Sequence, residues 1–340
     1  MCQYSVSRRD GQAEFWHQMH YGSLATGGAG MVLLEATAVA PEGRITPYDL
    51  GLWDDSQIAG LSDIVDFAHA QGVAAGVQIA HAGRKGSASP MFDNSRPLSI
   101  EQGGYQIYGP SALAYGSYPA PRAMTVDQIE ATVQAFAQTA ARAVQAGFDL
   151  IEIHAAHGYL LSQFFSPLAN HRADQYGGSL EARSRLILEV LRAVRLEVPA
   201  SKVLAMRISA TEWVPGGNEL EQSTQLAAWA AAAGLDLLDV SSGGVIEGVK
   251  PPAEPCYLAP LASHIKAETG LVVNTVGIID TSERAEQLVA SGAVDAIMLG
   301  RPLLRNPHLP IQWANELGVD LDQVCPPPYS VARWRESRSG

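Results

Sequence analysis

The chain has 340 residues, a hydrophobic content of 47% and a formal net charge of −12 at pH 7. This length and apolar content favour a large α/β protein, and the acidic balance argues against a nucleic-acid binder, which needs a basic face. Because no signal peptide and no long apolar run are visible, and Cys2, Cys256 and Cys325 lie far apart, we expect a cytoplasmic protein with free thiols and no membrane association.

Amphipathic helical patterns and short apolar runs alternate along the chain. Helices are predicted at residues 14–26, 56–71, 125–146, 179–198, 219–233, 257–269 and 281–291. Strands are predicted at residues 30–36, 73–80, 148–153, 202–209, 235–241, 271–275 and 294–300. Gly72, Gly147 and Gly234 stand where helices are expected to end. This strict βα alternation predicts a parallel sheet.

Seven strands are one fewer than a (β/α)8 TIM barrel requires. We expect residues 1–4 to be the end of strand one, incomplete because an amino-terminal segment holding its body is lacking. A doubly wound open sheet, which tolerates seven strands, is the alternative fold. The barrel is preferred because glycines end its last two strands, as a phosphate site there requires. We predict a single domain over residues 1–340, with a capping loop at about 86–122 and a tail at about 325–340.

Three polar side chains follow the predicted strand at residues 148–153. His154, His157 and Tyr159 stand at its carboxyl end, where α/β proteins place their chemistry. The histidines could bind zinc together with His81, could be core residues, or could hold an electronegative substrate oxygen and polarise it. Tyr159 is a proton donor rather than a metal ligand, which favours oxygen binding.

A carboxylate and an arginine are predicted to face the barrel interior. Glu152 is two residues before His154 and therefore shares its strand face. A buried carboxylate requires a cationic partner, and Arg207 on the next predicted strand is the candidate. Arg207 would also stabilise a ring system that carries negative charge.

Glycines end the last two predicted strands. Gly277 and Gly300 offer main-chain N–H groups, and Arg301 adds a guanidinium beside them. In barrels a phosphate commonly lies after strands seven and eight, at the start of a short extra helix. We assign Leu303, Leu304 and Asn306 to that helix; plain turn glycines are the alternative interpretation.

Taken together, these segments resemble the Old Yellow Enzyme family of flavin-dependent ene-reductases, in its bacterial branch of thermophilic-type enzymes and xenobiotic reductases. The resemblance covers nearly the whole chain, and five segments carry most of it. They are residues 33–44 (LLEATAVAPEGR), 77–85 (VQIAHAGRK), 154–159 (HAAHGY), 170–179 (NHRADQYGGS) and 300–302 (GRP).

The resemblance implies FMN at the carboxyl face of the barrel and NADPH or NADH as the reductant. It assigns seven residues to the cofactor: Cys2, Ala36, Gln78, Arg207, Gly277, Gly300 and Arg301. His154 and His157 would hold the carbonyl or nitro oxygen of the substrate, and Tyr4 would line the pocket. Hydride would pass from flavin N5 to the activated C=C bond of an enone or nitro compound, with Tyr159 supplying the proton.

The resemblance also implies a homodimer or homotetramer whose tail reaches a neighbouring site. Arg333 and Trp334 are the candidate residues, and a frayed basic end is the alternative for them. The competing function is a metal-dependent barrel hydrolase that uses His81, His154 and His157. If the chain is instead an ene-reductase, its partners are small molecules, with no metal, nucleic acid or membrane.

Overall fold

A seven-stranded parallel sheet forms the centre of the computed structural model, which describes residues 1–332. Arg333 and Trp334 lie outside the described residues, so the role of the tail stays a prediction. The strands are β1 (Met31–Ala38), β2 (Ala74–Ala80), β3 (Tyr108–Gly109), β4 (Arg122–Ala123), β5 (Leu150–Ala155), β6 (Val203–Ser209), β7 (Leu237–Ser241), β8 (Val272–Thr275) and β9 (Ala296–Ile297). The sheet order is β1-β2-β5-β6-β7-β8-β9, whereas β3 and β4 pair only with each other.

Helices follow the strands and cover the outside of the sheet. They are α1 (Phe15–Ala25), α2 (Ile58–Ala70), α3 (Val126–Gln145), α4 (Leu160–Phe165), α5 (Leu180–Glu197), α6 (Leu220–Ala232), α7 (Ala259–Thr269), α8 (Ser282–Ala290), α9 (Arg301–Arg305) and α10 (Leu309–Glu316). This is the arrangement of a (β/α)8 barrel, as predicted. No helix within residues 1–332 combines the length and the apolar character that crossing a bilayer requires.

Capping residues explain why the predicted helices begin and end close to the expected positions. Thr125 and Ser179 accept hydrogen bonds from the main chain at the first turns of α3 and α5. Gly147, at φ 98°, follows α3 and turns the chain into β5, a conformation that glycine adopts without strain. The predicted last strand at 294–300 is shorter than expected, since only Ala296–Ile297 pairs with β8.

The amino-terminal residues lie beside β1, at the carboxyl end of the sheet. The main chain of Gln3 lies close to the carboxylate of Glu35 in β1 and favours its ionised form. On the other side, Met1 Sδ lies 3.4 Å from where a Cβ on Gly300 would be. Residues 1–4 thus occupy the place between β1 and the segment after β9, where the end of strand one is expected, although they are not in strand geometry.

The predicted capping loop contains more structure than its composition suggests. Residues 86–122 include two short 3-10 turns, Met91–Asp93 and Ile100–Gln102, and the strand β3, which pairs with β4. Because these elements are only two or three residues long, they leave no periodic signal in the sequence.

The core between sheet and helices gives a stability prediction. Phe148, two residues before β5, is fully buried, whereas Phe15, at the start of α1, is 80% exposed. Phe148→Ala is expected to lower the free energy of unfolding by about 3–5 kcal/mol, because it leaves a cavity in a packed core. Phe15→Ala is expected to change it by less than about 0.5 kcal/mol. Urea unfolding of both variants measures the difference, and equal losses would contradict this placement.

Candidate active site

His154 is the last polar residue of β5 and is buried at the carboxyl end of the sheet. Its Nδ1 accepts a hydrogen bond from the Ala156 N–H at 3.3 Å, so the ring carries its proton on Nε2. Burial, followed by the nearby cations Arg207 and Lys85, holds the pKa of His154 well below its usual value. At neutral pH His154 is therefore a neutral hydrogen-bond donor rather than an acid.

His157 stands in the turn between β5 and α4 and has a left-handed main chain, with φ 58°. Its N–H donates to Ser209 Oγ at 2.9 Å, and its Nε2 lies 2.6 Å from Ser241 Oγ. These contacts join the turn to the ends of β6 and β7. Burial and then Arg207 hold the pKa of His157 well below its usual value, so this ring is also neutral.

Tyr159 completes a cluster of three rings. The centre of the His154 ring lies 5.2 Å from the centre of His157 and 5.0 Å from that of Tyr159, both edge to face. Burial, with smaller contributions from neighbours such as Cys2 and Asp49, raises the pKa of Tyr159 well above its usual value, which keeps the phenol protonated. Two neutral imidazoles and one phenol therefore lie close together at the carboxyl end of β5.

Lys85 holds this turn in place, and the sequence analysis did not single it out. Its Nζ donates to the carbonyl of His157 at 2.9 Å and to that of Gly244 at 3.2 Å. It also lies 4.6 Å from the ring centre of Tyr115 and 5.0 Å from that of Tyr159. Burial, then Arg84, lowers the pKa of Lys85 to about 8. A cation is thus placed beside the phenol.

Arg84 joins the segment after β7 and helix α4 to the capping loop. Its guanidinium donates to the carbonyl of Val245 at 2.7 Å and to that of Leu113 at 3.2 Å. The main-chain N–H of Arg84 donates to Oε1 of Gln163, a residue of α4, at 3.2 Å. The segment after β2 therefore fixes the loop against the site through main-chain carbonyls, which residue type alone does not reveal.

Side chains on β2, β5, β6 and β7 form a buried polar layer beneath the histidines. Gln78 Nε2 donates to Glu152 Oε1 at 2.7 Å. Arg207 Nε lies 3.1 Å from Asp239 Oδ2, so the ion pair expected between Arg207 and Glu152 is wrong in its partner. Asp239 directly faces Arg207 in the β6–β7 register, whereas Glu152 faces Ala205. Arg207 still acts on Glu152 at longer range and favours its ionised form.

The acidity of Glu152 gives a pH prediction. Burial, then the charge of Asp239, raises the pKa of Glu152 from 4.5 to about 8. Between these pH values the folded protein keeps a proton that the unfolded chain releases, so stability falls as the pH rises, by up to about 1.4 kcal/mol per pH unit. We expect Glu152→Gln to remove this contribution.

The measurement is the free energy of unfolding from pH 5 to pH 8 for wild type and Glu152→Gln. As the pH rises, the free energy of unfolding of wild type is expected to fall relative to that of Glu152→Gln. Glu268→Gln, an exposed change on α7, is the matched control and should follow wild type. Parallel curves for wild type and Glu152→Gln would contradict the prediction.

Ala36, Cys2 and Tyr4 lie together near the end of β1. Ala36 faces Gln78 in the β1–β2 register, and its main chain lies close to the Cys2 thiol. Tyr4 is buried and has φ 51°. Burial, then Cys2 and Tyr159, raises the pKa of Tyr4, which places its phenol near that of Tyr159.

Gly277, Gly300 and Arg301 lie after the last two strands. A Cβ at Gly277, whose φ is 109°, would lie 2.8 Å from the Tyr257 ring, so a side chain is excluded there. Gly300 directly precedes α9, and Arg301 is its exposed first residue, with no ion pair to any residue in 1–332. The first N–H groups of a helix have no partner within it. Asn306, expected in this helix, instead follows its last residue, Arg305.

The metal-dependent alternative gains no ligand set from the structure. Within residues 1–332 no three His, Cys, Asp or Glu side chains are arranged to hold a metal ion. His81 Nδ1 accepts from the Gly83 N–H at 3.0 Å, and burial lowers the pKa of His81 to about 4. His81 is therefore engaged with its own loop.

The chain is similar in sequence to known proteins. The model of the NADH:flavin oxidoreductase / NADH oxidase family matches residues 1–319. The NADPH dehydrogenase of Halalkalibacterium halodurans is 44% identical over 321 residues, which are 94% of this chain and 90% of that protein.

Two solved structures have a similar fold. Morphinone reductase in complex with tetrahydroNAD has a TM-score of 0.76 and 28% identity, over 94% of this chain and 85% of that chain. A 2-naphthoyl-CoA reductase complex has a TM-score of 0.84 and 28% identity over 96% of this chain. The present chain spans 50% of the length of that reductase.

Proposed function

Because the chain belongs to the NADH:flavin oxidoreductase / NADH oxidase family and is an NAD(P)H-dependent oxidoreductase with FMN as its cofactor, we propose that it is an ene-reductase. Its substrates are α,β-unsaturated carbonyl or nitro compounds, whose activated C=C bond is reduced. The observation that carries the proposal is the cluster of two neutral imidazole donors and one phenol at the end of β5.

The side chains around the sheet end fit FMN. The Arg207 guanidinium forms an ion pair with Asp239 through Nε but makes no hydrogen bond to it, so this cation can still donate to a ring that gains negative charge. Ala36, Gln78 and Cys2 would contact the same ring. Bound FMN would supply the two-electron carrier that accepts hydride from NAD(P)H and passes it to the substrate.

The phosphate of FMN would lie at the other end of the site. Gly277 and Gly300 carry no side chain, and the main-chain N–H of Arg301, the first residue of α9, suits an anion, whereas the next residue, Pro302, has no N–H. The unpaired Arg301 guanidinium adds a positive charge there.

The two histidines bind the activating oxygen of the substrate. His154 donates from Nε2, because its Nδ1 already accepts from the main chain. His157 Nε2 lies 2.6 Å from Ser241 Oγ, and we assign the hydroxyl as the donor of this hydrogen bond, which leaves the proton of that ring on Nδ1 for the substrate. Negative charge grows on the oxygen as the C=C bond is reduced, so two fixed donors stabilise the transition state more than the ground state.

Tyr159 donates the proton to the carbon next to the activating group. A phenol with a raised pKa is a weak acid, but the carbon of an enolate is a far stronger base than a phenolate. The ammonium of Lys85, 5.0 Å from the ring centre, offsets the negative charge that Tyr159 acquires.

Product analysis tests the finer part of the proposal. With NADPH and 2-cyclohexenone, we expect cyclohexanone as the product, since the histidines polarise the oxygen and the ring C=C bond is reduced. Formation of 2-cyclohexenol would mean reduction at the carbonyl and would reject the ene-reductase assignment. Oxidation of NADPH that yields neither product would leave a flavin oxidoreductase of another substrate class.

A further inference from the structure

A cavity of about 420 Å³ lies between the amino-terminal residues, the segment after β1 and the capping loop. Its walls are mainly apolar and aromatic: Tyr4, Pro47, Tyr48, Pro90, Phe92 and Leu98. A cavity of this size and lining is typical of small-molecule binding. The catalytic groups described above do not use it.

Tyr4 connects this cavity to the active site. Tyr4 lines the cavity, packs edge to face on Phe92 at 6.4 Å, and has a phenol near Tyr159. Asp49 directly follows the cavity residue Tyr48 and acts electrostatically on both Tyr4 and Tyr159. Because Tyr4 is two residues from Cys2, which lies near Ala36 in β1, the cavity lies beside the end of the sheet that carries His154 and Tyr159.

We infer that this cavity binds a planar apolar extension of the substrate, of the size of an aryl ring, whose far end carries a carboxylate. The inference rests on the proposed function, because the extension begins at the C=C bond whose activating oxygen His154 and His157 hold. It names the substrate class more narrowly, as aryl enones with an anionic group.

The carboxylate is inferred from Arg9 at the rim of the cavity. Its Nη2 donates to the hydroxyl of Tyr48 at 2.5 Å, and its guanidinium lies 4.7 Å from the centre of that ring. Arg9 forms no ion pair within residues 1–332, whereas Asp93, which also lines the cavity, is paired with Arg96 at 2.8 Å. A protein with a net charge of −12 thus presents an unpaired cation at this rim.

The first experiment measures binding without turnover. Calorimetry on the FMN-loaded enzyme compares 4-(3-oxobutyl)benzoate, which has no C=C bond to reduce, with uncharged 4-phenylbutan-2-one. We expect the benzoate to bind about fivefold more tightly, and Arg9→Gln to remove that advantage. Arg8→Gln, a change in an exposed neighbour paired with Asp10 and Glu14, should leave both affinities unchanged.

The second experiment measures KM for 4-phenylbut-3-en-2-one and for 3-penten-2-one, which has a methyl group in place of the ring. Leu98→Trp, which fills the cavity, is expected to raise KM about tenfold for the aryl enone alone. Phe92→Ala is expected to raise KM for the aryl enone about threefold. Because this side chain is 78% exposed, the substitution is not expected to destabilise the fold.

The outcomes separate the inference from the proposed function. If wild type reduces 3-penten-2-one but neither cavity variant discriminates between the two ketones, the cavity is not the subsite and the inference is overturned. If no enone is reduced, the proposed function fails, and calorimetry still decides on the cavity. Equal affinity for the charged and uncharged ketones removes the role of Arg9.

Discussion

Replacing His154 and His157 together with alanine is expected to lower kcat/KM for 2-cyclohexenone by roughly 10³-fold. Loss of a single donor to a developing oxyanion typically costs about 10²–10³-fold in kcat, and two donors that act on one oxygen are not additive. The effect is large because both rings are held in place by their own hydrogen bonds, and water in their place is not oriented in advance toward the oxygen.

Single variants and a surface control sharpen this test. His154→Ala and His157→Ala are each expected to cost most of the double effect, since one remaining donor leaves the oxygen partly unpaired. His264→Ala, an exposed change on α7, should have no effect. A double variant that keeps its activity within about threefold of wild type would reject oxygen binding by the histidines.

Tyr159→Phe is expected to slow reduction of the enone by roughly 10²-fold, the lower end of what a positioned proton donor contributes. The phenol is the proton donor of the ring cluster, and its raised pKa keeps the proton in place over the whole neutral range. Water that enters the space left by the hydroxyl is expected to limit the loss.

Stopped-flow kinetics separate the two half-reactions of this variant. Reduction of the enzyme by NADPH involves no proton from Tyr159, so its rate is expected to stay within about threefold of wild type. The rate of reoxidation by the enone is expected to show the whole decrease of roughly 10²-fold. If both rates fall equally, Tyr159 positions ligands generally and does not act as the proton donor.

The order and type of the elements could be predicted from the sequence because each is marked locally. Residues 125–146, for example, have an apolar face, a threonine that accepts from the first turn and a glycine after the last turn. The location of His154, His157 and Tyr159 followed from one rule, that parallel strands end at the same edge. Family resemblance then supplied the cofactor.

Contacts between distant residues could not be predicted in the same way. Lys85 donates to carbonyls 72 and 159 positions away, and carbonyls have no residue-type signal. Arg207 pairs with Asp239 rather than Glu152 because the register of neighbouring strands decides which side chains face each other. The position of Lys85, in the same short segment after the predicted strand as His81, was the available signal.

We propose that this site uses FMN to move electrons from NADPH to an enone. An absorbance spectrum of the purified protein, followed by anaerobic addition of NADPH and then 2-cyclohexenone, tests it most directly. We expect a flavin band that bleaches with NADPH and returns with the enone. A colourless protein that also fails to take up added FMN, or a band that stays bleached in the presence of the enone, would contradict the claim.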